Sequence, residues 1–524
     1  MSRTRRILGG ASIGYLHQAA VIVLGIWLTP FLLRRVGQHE YGLWLVAGQL
    51  LGYLALLDLG VLAILPREVA ALSGQADKAR ARVAIADLLA RIRGIVRTWQ
   101  LPGLSVACAL IWWFLPSDWS DLSRPLIPVF VAFVALYPLR ILLAALQGVQ
   151  EMTFLAGAQM AGWALGTATT ITLIVAGAGL YALVIGWVVT TAVPAGAAWW
   201  RSRSLWPAAD RSVPAGPTSE IFRSSLWLSA GQVAQVLLAG SDVLLVGRIL
   251  GAAAVVPYAC TGKLVTVFAN HPHLLMHVAQ PALAEMRASE SRDRLRHVAT
   301  ALTQAMLIMS GALIVVILPL NHVFVTWWVG PSQYAGWQLT LGFAVMMVLR
   351  HVTVALVYTL FCFGYERQIS LTSLADGVVT VVATAILVWT WGPIGAPVGS
   401  IIGALLVSLP VNGRSMAREM ELSAGAFAGL LAPLLFRIVG VSAAMALISW
   451  WLAPTSIQHV ALLLILSIGL YSLMVLPVAW RGPVGPYLRL ALHLTRRTVD
   501  TLPATLPTDV QVLGTDAKVE AGRP

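Results

Sequence analysis

The sequence predicts an all-α integral membrane protein of about fourteen transmembrane helices, and three observations lead to this prediction. Of the 524 residues, 58% are hydrophobic and only 11% are charged, whereas soluble domains carry about 25% charged residues. The apolar stretches are roughly 18–28 residues long, and about 20 residues of α-helix cross the hydrocarbon layer of a bilayer. They are too long and too uniformly apolar for barrel strands, which leaves helices as the structure that satisfies the backbone in lipid.

The expected spans form two sets of six and a final pair. The first set comprises residues 12–33, 41–64, 95–115, 125–147, 153–176 and 180–200. The second set comprises 224–247, 253–280, 298–320, 334–361, 368–391 and 394–412, and the final pair 431–452 and 458–480. The corresponding domains are a first lobe (1–200), a cytoplasmic linker (201–223), a second lobe (224–412), the region of the helix pair (413–480) and a cytoplasmic tail with a disordered end (481–524).

Positive charge is distributed unevenly between alternate loops. If the basic N-terminus is cytoplasmic, the cytoplasmic loops hold about six times as many Lys and Arg residues as the opposite loops, which is the asymmetry typical of membrane proteins. The opposite loops hold Arg34, Arg35, Arg124 and Arg248. Both termini are therefore expected in the cytoplasm. The net charge of +13 then reflects topology and contact with anionic lipids, and no nucleic acid partner is expected.

The second half of the chain resembles the first at a shift of 214 residues. Residues 12–37 align with residues 226–251, so that Gly37 matches Gly251. Each segment is followed by a span that ends in proline and by a basic amphipathic loop. Because six spans separate the copies, they have the same orientation, which predicts two lobes related by an axis along the membrane normal. The alternative is a chance similarity between apolar helices.

Three basic residues lie deep inside spans, where a charge is unfavourable unless it faces a cavity or a partner. At ~1.5 Å per residue, Arg140, Lys263 and Arg350 fall near the bilayer centre. A basic cluster to which both lobes contribute suits an anionic substrate such as a pyrophosphate, which arginine can bind bidentately. The alternative is that each of the three pairs with a carboxylate or a helix end.

A stripe of polar residues accompanies Lys263. Lys263, Asn270 and His277 are spaced by seven residues, so they share one face of a continuous helix. The repeat places Gln49 at the position equivalent to Lys263. We therefore count Asn270, His277 and Gln49 with the three basic residues as candidate substrate-binding residues.

Carboxylates inside the spans are the candidates for coupling transport to an ion gradient. Asp242 stands in an apolar segment, and Asp58 and Asp376 lie toward the inner third of their spans. A structural hydrogen bond is the alternative role for Asp242. Histidines in the spans could also take up a proton near neutral pH, although a neutral, hydrogen-bonded histidine is the alternative; they are His17, His271, His273 and His277. The three cysteines are far apart in apolar segments, and we expect neither a metal site nor a cofactor.

Short motifs in both halves resemble polysaccharide flippases of the Wzx type. These flippases share a superfamily, the multidrug/oligosaccharidyl-lipid/polysaccharide (MOP) exporters, with the MATE multidrug exporters and the lipid II flippase. The motifs are Leu28-Thr29-Pro30-Phe31-Leu32-Leu33, Val36-Gly37, Tyr41-Gly42-Leu43-Trp44, Leu56-Leu57-Asp58-Leu59-Gly60, Ser241-Asp242-Val243-Leu244-Leu245-Val246-Gly247, Leu250-Gly251 and Tyr258.

The resemblance implies a V-shaped bundle of two lobes in the bacterial inner membrane. It implies that the protein moves an undecaprenyl-pyrophosphate-linked oligosaccharide to the periplasmic leaflet by alternating access, driven by a proton or sodium gradient or by the membrane potential. The implied partners are this lipid-linked substrate, membrane lipids, and a polysaccharide polymerase or glycosyltransferases. Of the family's site only a basic lumen is carried over, and Arg140, Lys263 and Arg350 satisfy it.

Three other functions compete with this one. A cation-coupled drug exporter of the same fold should show carboxylates at mid-depth, where this chain has basic residues. A lipid II flippase would need the same fold and the same cavity charge, so the sequence leaves it open. A membrane enzyme needs a long loop or a further domain for its chemistry, whereas the outer loops have roughly 3–17 residues. We therefore expect a transporter and not an enzyme.

Overall fold

A computed structural model describes residues 3–489 except residues 59, 75–76, 207–217, 290 and 453–456. The regular elements of these residues are all helical, which confirms the predicted fold class. The expected disordered end of the tail lies outside the described residues, and so do residues 207–217 of the expected linker at 201–223.

The described part of the first half contains nine α-helices. They are α1 (Arg3–Arg35), α2 (Gln38–Ala55), α3 (Val61–Ser73), α4 (Lys78–Ile95), α5 (Leu101–Trp113), α6 (Ser120–Leu136), α7 (Arg140–Gly148), α8 (Met152–Val175) and α9 (Leu180–Leu205).

The rest of the described chain contains eleven more. They are α10 (Thr218–Leu250), α11 (Ala252–Thr261), α12 (Lys263–Phe268), α13 (His271–Ser289), α14 (Arg292–Val329), α15 (Trp337–Cys362), α16 (Glu366–Trp391), α17 (Gly395–Gly403), α18 (Leu409–Glu419), α19 (Ala424–Leu452) and α20 (Ile457–Arg481).

Among the described residues, eleven helical stretches are long and apolar enough to cross a membrane, or up to thirteen if each bent pair of helices is one span. One of the eleven stretches, Glu366–Glu419, has 54 residues, far more than the ~20 that cross a bilayer. The chain folds back near Gly392, and α16 packs against α17, so this stretch crosses twice. Counting it as two spans brings the total to the expected fourteen.

Several spans are broken, and most of the candidate charges lie next to a break. Short 3₁₀ turns separate α2 from α3 (Leu56–Asp58) and α6 from α7 (Tyr137–Leu139). A π-turn at Val96–Gln100 separates α4 from α5, and another at Ala404–Ser408 separates α17 from α18. The axes of α11 and of the stretch Lys263–His277 differ by 58°. Such irregular turns are often found at functional sites.

The stretch expected as a basic loop, residues 67–94, is mostly helical. Helix α3 continues to Ser73, and α4 begins after Asp77, whose side chain accepts hydrogen bonds from the backbone N–H groups of Ala79 and Arg80. This N-cap satisfies donors that a helix start leaves without partners. The apolar face of α4, including Ile85 and Ile92, is buried, so the stretch is an amphipathic helix that packs on the bundle.

Backbone geometry supports the internal repeat. Gly37 starts α2 with φ 103°, and Gly251, which is 214 residues later, starts α11 with φ 91°. The same shift relates Gln150 (φ 62°), between α7 and α8, to Gly364 (φ 81°), between α15 and α16. Left-handed backbone is uncommon outside glycine, so two such matches at one shift are difficult to attribute to a chance similarity of apolar helices.

Among the described residues, the contacts between the two halves are most extensive at one end of the bundle, which the topology predicted from charge makes the outer end, and α10 also packs against α3. Helix α2 packs against α10 and α11, and α1 against α14. Gln38 Nε2 donates to the Ala253 carbonyl oxygen at 2.8 Å, and Gln38 Oε1 accepts from Gln333 Nε2 at 2.9 Å. In contrast, α13, which continues from α12 toward the inner end, packs against α14 and α15 of its own half. The bundle is therefore closed at the outer end.

The closest approach at this outer contact is at Gly42. A Cβ atom added there would overlap the Ala252 carbonyl oxygen and lie 2.7 Å from the carbonyl carbon. Gly42→Ala is therefore expected to push α2 and α11 apart. Cys260, which is 3% exposed and packs near Tyr41 and Leu45, reports such an opening, and its alkylation by a maleimide should become about tenfold faster, because overpacking a contact costs ~1–3 kcal/mol.

The measurement requires Cys108 and Cys362 to be replaced by alanine. Gly48→Ala on the same helix is the matched control, because a Cβ at Gly48 meets no atom within 4 Å. Equal alkylation rates for the two variants would contradict a tight outer contact at Gly42.

The last two helices lie outside the repeat and pack on α14. Gln304 Nε2 donates to the Leu430 carbonyl oxygen at 3.0 Å, and Ser449 Oγ donates to the Pro319 carbonyl oxygen at 2.8 Å. Tyr471 of α20 donates to the Ile308 carbonyl oxygen at 2.5 Å. These hydrogen bonds fix α19 and α20 against the second half.

Candidate substrate site

Lys263 lies at the bend of the span formed by α11, α12 and α13. It follows Gly262, where a Cβ atom would lie 2.8 Å from Phe343 Cζ, so the bend is packed directly against α15. Asn321, which is fully buried, donates to the Thr261 carbonyl oxygen at 2.9 Å. Irregular backbone inside a membrane requires partners of this kind, which shows that the bend is built into the fold.

The ammonium group of Lys263 has neither a hydrogen bond nor an ion pair with any described residue. The side chain is partly buried. Eleven residues separate Lys263 from the start of α11 at Ala252, which places it ~16 Å from the outer end of the span. The structure therefore keeps an unpaired positive charge near the bilayer centre in the second half.

Arg140 is the first residue of α7, directly after the 3₁₀ turn Tyr137–Leu139. Its guanidinium carbon lies 5.4 Å from the centroid of the Tyr137 ring, and its Nη1 is buried without a hydrogen-bond partner. It forms no ion pair with the described residues. Arg140 precedes the inner end of α7, Gly148, by eight residues, or ~12 Å, whereas the expected span 125–147 placed it seven residues from the inner end.

Asp58 belongs to the same polar cluster as Arg140 but does not pair with it. Its carboxylate Oδ1 accepts from the Gly60 backbone N–H at 2.8 Å, which closes the turn where α2 ends and α3 begins. Its carbonyl oxygen accepts from Gln100 Nε2 at 2.7 Å, and Tyr137 donates to Gln100 Oε1 at 3.5 Å. Asp58, Gln100 and Tyr137 thus link three broken spans beside the unpaired Arg140.

Arg350, in contrast, is paired. Its Nη1 and Nη2 donate to the two carboxylate oxygens of Asp376 at 2.5 and 3.1 Å. Nε donates to Ser400 Oγ at 3.1 Å, and Nη2 also donates to Thr380 Oγ1 at 3.2 Å. Ser408, at the end of the π-turn, donates to the same carboxylate. The pairing alternative considered for the basic residues is therefore the one seen for Arg350.

The Arg350–Asp376 pair joins α15 to the hairpin of α16 and α17. The side chain of Asp376 is 0% exposed and that of Arg350 is 19% exposed. In the first half, the position equivalent to Asp376 at the shift of 214 residues is Gly162. The hairpin of α8 and α9 packs closely there, since a Cβ at Gly162 would lie 2.7 Å from Pro194 Cδ. The hairpin of the second half is packed as closely, since a Cβ at Gly403 would lie 2.3 Å from Asp376 Oδ1, and it contains the ion pair in addition. The guanidinium occupies the place that a coupling cation at Asp376 would need.

The remaining candidate residues lie in three different settings. Asn270 is exposed in the turn between α12 and α13, so the helix face expected for Lys263, Asn270 and His277 is interrupted. His277 is exposed on α13, and its Nε2 lies 2.9 Å from the Tyr358 hydroxyl. Gln49 is partly buried on α2, and its Oε1 would lie 2.7 Å from a Cβ at Gly240, so it sits in the contact between the halves.

Asp242 has the structural hydrogen bonds that were considered as its alternative role. Its Oδ2 accepts from the Tyr258 hydroxyl at 2.6 Å, and its Oδ1 accepts from the Val243 backbone N–H at 2.8 Å. Tyr258 is 2% exposed. Next to Asp242, the two parts of α10 that meet near Gly240 differ in direction by 44°. The carboxylate therefore ties a bend in the seventh span to the eighth.

Sequence reasoning missed several polar residues of these clusters. Gln100, Ser310, Ser400 and Ser408 are buried, and each stands in an apolar span whose hydropathy conceals it. A buried amide or hydroxyl needs a hydrogen-bond partner, so single polar residues in apolar spans were the available signal. His351, the neighbour of Arg350 in the sequence, is 1% exposed and was not among the candidate residues.

Comparison with known proteins agrees with this architecture. A family profile described as "Polysaccharide biosynthesis protein" matches residues 131–332. A structure of the lipid II flippase MurJ in an inward closed conformation is similar with a TM-score of 0.63 and 11% identity over 89% of this chain and 98% of that chain. No curated protein matches the chain significantly.

Two multidrug transporter structures are also similar. MATE in complex with MaL6 matches with a TM-score of 0.52 and 14% identity over 80% of this chain and 98% of that chain. An outward-facing MATE family transporter of the MOP superfamily matches with a TM-score of 0.51 and 14% identity over 81% of this chain and 98% of that chain. The chain therefore has the fold of these transporters and is a multi-pass membrane protein.

Proposed function

We propose that this protein is a flippase that moves a pyrophosphate-linked oligosaccharide on a polyprenyl carrier from the cytoplasmic to the periplasmic leaflet of the bacterial inner membrane. The observation that carries the proposal is the pair of unpaired cations, Arg140 in the first half and Lys263 in the second. A charge held in lipid without a partner costs at least ~2.5–3.5 kcal/mol, so its retention favours an anionic group as an intermittent partner.

Alternating access follows from the two halves and their contact. The outer end is closed by α2, α10 and α11, so the conformation described here would receive substrate from the inner side. Rocking one half against the other would then expose the diphosphate to the outer side. The substrate is moved without chemical change, and a polymerase and glycosyltransferases would act before and after the transport step.

The similarity to the family described as "Polysaccharide biosynthesis protein" over residues 131–332 supports an oligosaccharide cargo. The likeness of fold to a lipid II flippase supports a second candidate, lipid II itself, because both cargoes carry a diphosphate on a polyprenyl lipid. The MATE-like fold is shared with drug exporters, but mid-depth cations do not suit a cationic drug. We therefore rank the oligosaccharide first and lipid II second.

Deletion and complementation test the proposal. Cells that lack this gene should accumulate diphosphate-linked oligosaccharide on the inner leaflet and lose the polymer from the surface, and a plasmid copy should restore it. In the second arm, the gene is expressed in cells depleted of their lipid II flippase. Rescue of only the cells depleted of their lipid II flippase would assign lipid II as the cargo. Rescue of neither these cells nor the deletion strain would overturn the flippase assignment.

A further inference from the structure

A buried histidine in the second half has a set of partners that fits either of its protonation states. His351, on α15, is 1% exposed. Its Nε2 lies 2.8 Å from the Ala269 carbonyl oxygen, and its Nδ1 lies 2.5 Å from Ser310 Oγ on α14. Ser310 Oγ also lies 2.7 Å from the Met306 carbonyl oxygen.

In the neutral state, both nitrogens of the His351 ring have hydrogen-bond partners. A carbonyl oxygen only accepts, so Nε2 carries the hydrogen and donates to Ala269. Nδ1 is then the acceptor, and the Ser310 hydroxyl donates to it. Every polar atom of the ring has a partner in this state.

The protonated ring is satisfied without moving a heavy atom. When Nδ1 takes up a proton, it donates to Ser310 Oγ, and the hydroxyl rotates to donate to the Met306 carbonyl oxygen at 2.7 Å. If one protonation state left a donor unpaired, protonation would be less favourable, because a buried donor without a partner costs ~1–3 kcal/mol. This site has no such donor in either state.

Two further histidines connect this ring to an exposed position. The His273 ring lies edge-on against the His351 ring, with centroids 5.3 Å apart. His277 is one helical turn further along α13, on the same face, and it is exposed. The three rings thus form a row from a buried position to an accessible one, on the side of the molecule away from the outer contact.

The charges around His351 do not neutralise an added proton. Among the described residues of the helices packed against α15, Lys263 lies on α12 and adds positive charge. Arg350 is the neighbour of His351 on its own helix, and it already neutralises Asp376 of α16. The other ionisable residues of these helices lie toward their ends: Tyr258, Cys260, Glu285, Arg287, Arg292, Asp293, Arg294, Arg296, His297, His322, Tyr358, Cys362, Glu366, Arg367, Arg414, Arg418 and Glu419.

We propose that His351 is a proton-binding site whose protonation shifts the bundle between the states that are closed and open at the outer end, with His273 and His277 as the path of the proton. A buried imidazolium without a counter-ion is unfavourable, so proton uptake favours a conformation in which the ring is hydrated. In this conformation the outer end is closed, and Ala269, one of the ring's partners, adjoins the turn between α12 and α13. Proton uptake therefore drives the bundle toward the state that is open at the outer end. This inference rests on the alternating access of the proposed function.

The test uses purified full-length protein with Cys260 as the single cysteine and no added substrate. Alkylation of Cys260 by a maleimide is measured from pH 8 to pH 5.5, and each rate is divided by the rate of the His351→Gln variant at the same pH, which cancels the ionisation of the thiol. The ratio is expected to rise about tenfold on acidification, because a one-unit difference in proton affinity between two states shifts their equilibrium tenfold.

His322→Gln is the matched control, since His322 is an outer-end histidine that packs on the Tyr334 ring, and it should behave as the wild type. Ser310→Ala keeps the ring and should shift the midpoint of the transition. His273→Gln should slow the response without changing its end points. A flat ratio, or an unchanged midpoint in Ser310→Ala, would overturn the proposal. Because the assay needs no substrate, a flat ratio beside successful complementation would leave the flippase assignment intact.

Discussion

Replacing Arg350 by alanine is expected to remove most of the folded protein, not only its activity. The change leaves the Asp376 carboxylate, which is 0% exposed, without its counter-ion. Breaking a buried ion pair from one side costs ~3–5 kcal/mol, a large part of the ~5–15 kcal/mol that stabilises a typical protein. The measurement is the yield of monodisperse protein in detergent and its Tm.

A double variant separates this structural role from substrate binding. Adding Asp376→Asn to Arg350→Ala removes both charges, so most of the yield and Tm should return. Arg34→Ala, at an exposed outer position, is the control and should stay within ~0.5 kcal/mol of wild type. If Arg350 bound the substrate directly, Arg350→Ala would instead give normal yield and Tm with no export.

The Arg350–Asp376 pair also shows which contacts could not be predicted from the sequence. Depth along expected spans placed Arg350 at the bilayer centre and Asp376 toward the inner third. In the structure Arg350 lies twelve residues from the inner end of α15 and Asp376 ten residues from the inner start of α16, so the two are nearly level. An error of two or three residues at a helix end shifts the inferred depth by ~3–5 Å, which is enough to assign different depths to two residues that form an ion pair.

The repeat and the helical class could be predicted because they depend on patterns that a sequence displays directly. Gly37 and Gly251 align in the sequence, and both start helices with positive φ. The breaks could not be predicted, since they depend on distant partners. The bend before Lys263 needs Asn321, sixty residues away, and the turn at Asp58 needs Gln100. Hydropathy alone extends a continuous helix through both positions.

The same limitation affected the polar stripe. Spacing by seven places Lys263, Asn270 and His277 on one face only if the helix is continuous, and the turn at Ala269 and Asn270 interrupts it. The part of the inference that remains is the presence of positive charges inside the spans. Lys263 and Arg140 are mid-span cations that form no ion pair with the described residues, although Asp58 lies in the same polar cluster as Arg140. Both stand at the first residue of a helix that follows a break.

Lys263→Gln and Arg140→Gln are each expected to slow transport of the diphosphate-linked oligosaccharide by about 10- to 100-fold at normal protein levels. A hydrogen bond to a charged group contributes ~1.5–3 kcal/mol, and ~1.4 kcal/mol corresponds to a factor of ten. Lys263→Arg should keep most of the rate because it keeps the charge. The rate is measured in proteoliposomes by the exposure of the oligosaccharide to an impermeant glycosidase, with Arg248→Gln at the outer end of α10 as the control.

Stability distinguishes this role from a structural one. A cation that forms no ion pair destabilises the folded state in lipid, so removing it should raise the Tm of substrate-free protein even as transport falls. A residue retained for folding would show the opposite sign, as Arg350 is expected to do. Wild-type transport rates in both glutamine variants would remove the basis for a diphosphate cargo, because Lys263 and Arg140 are the cations proposed to bind it.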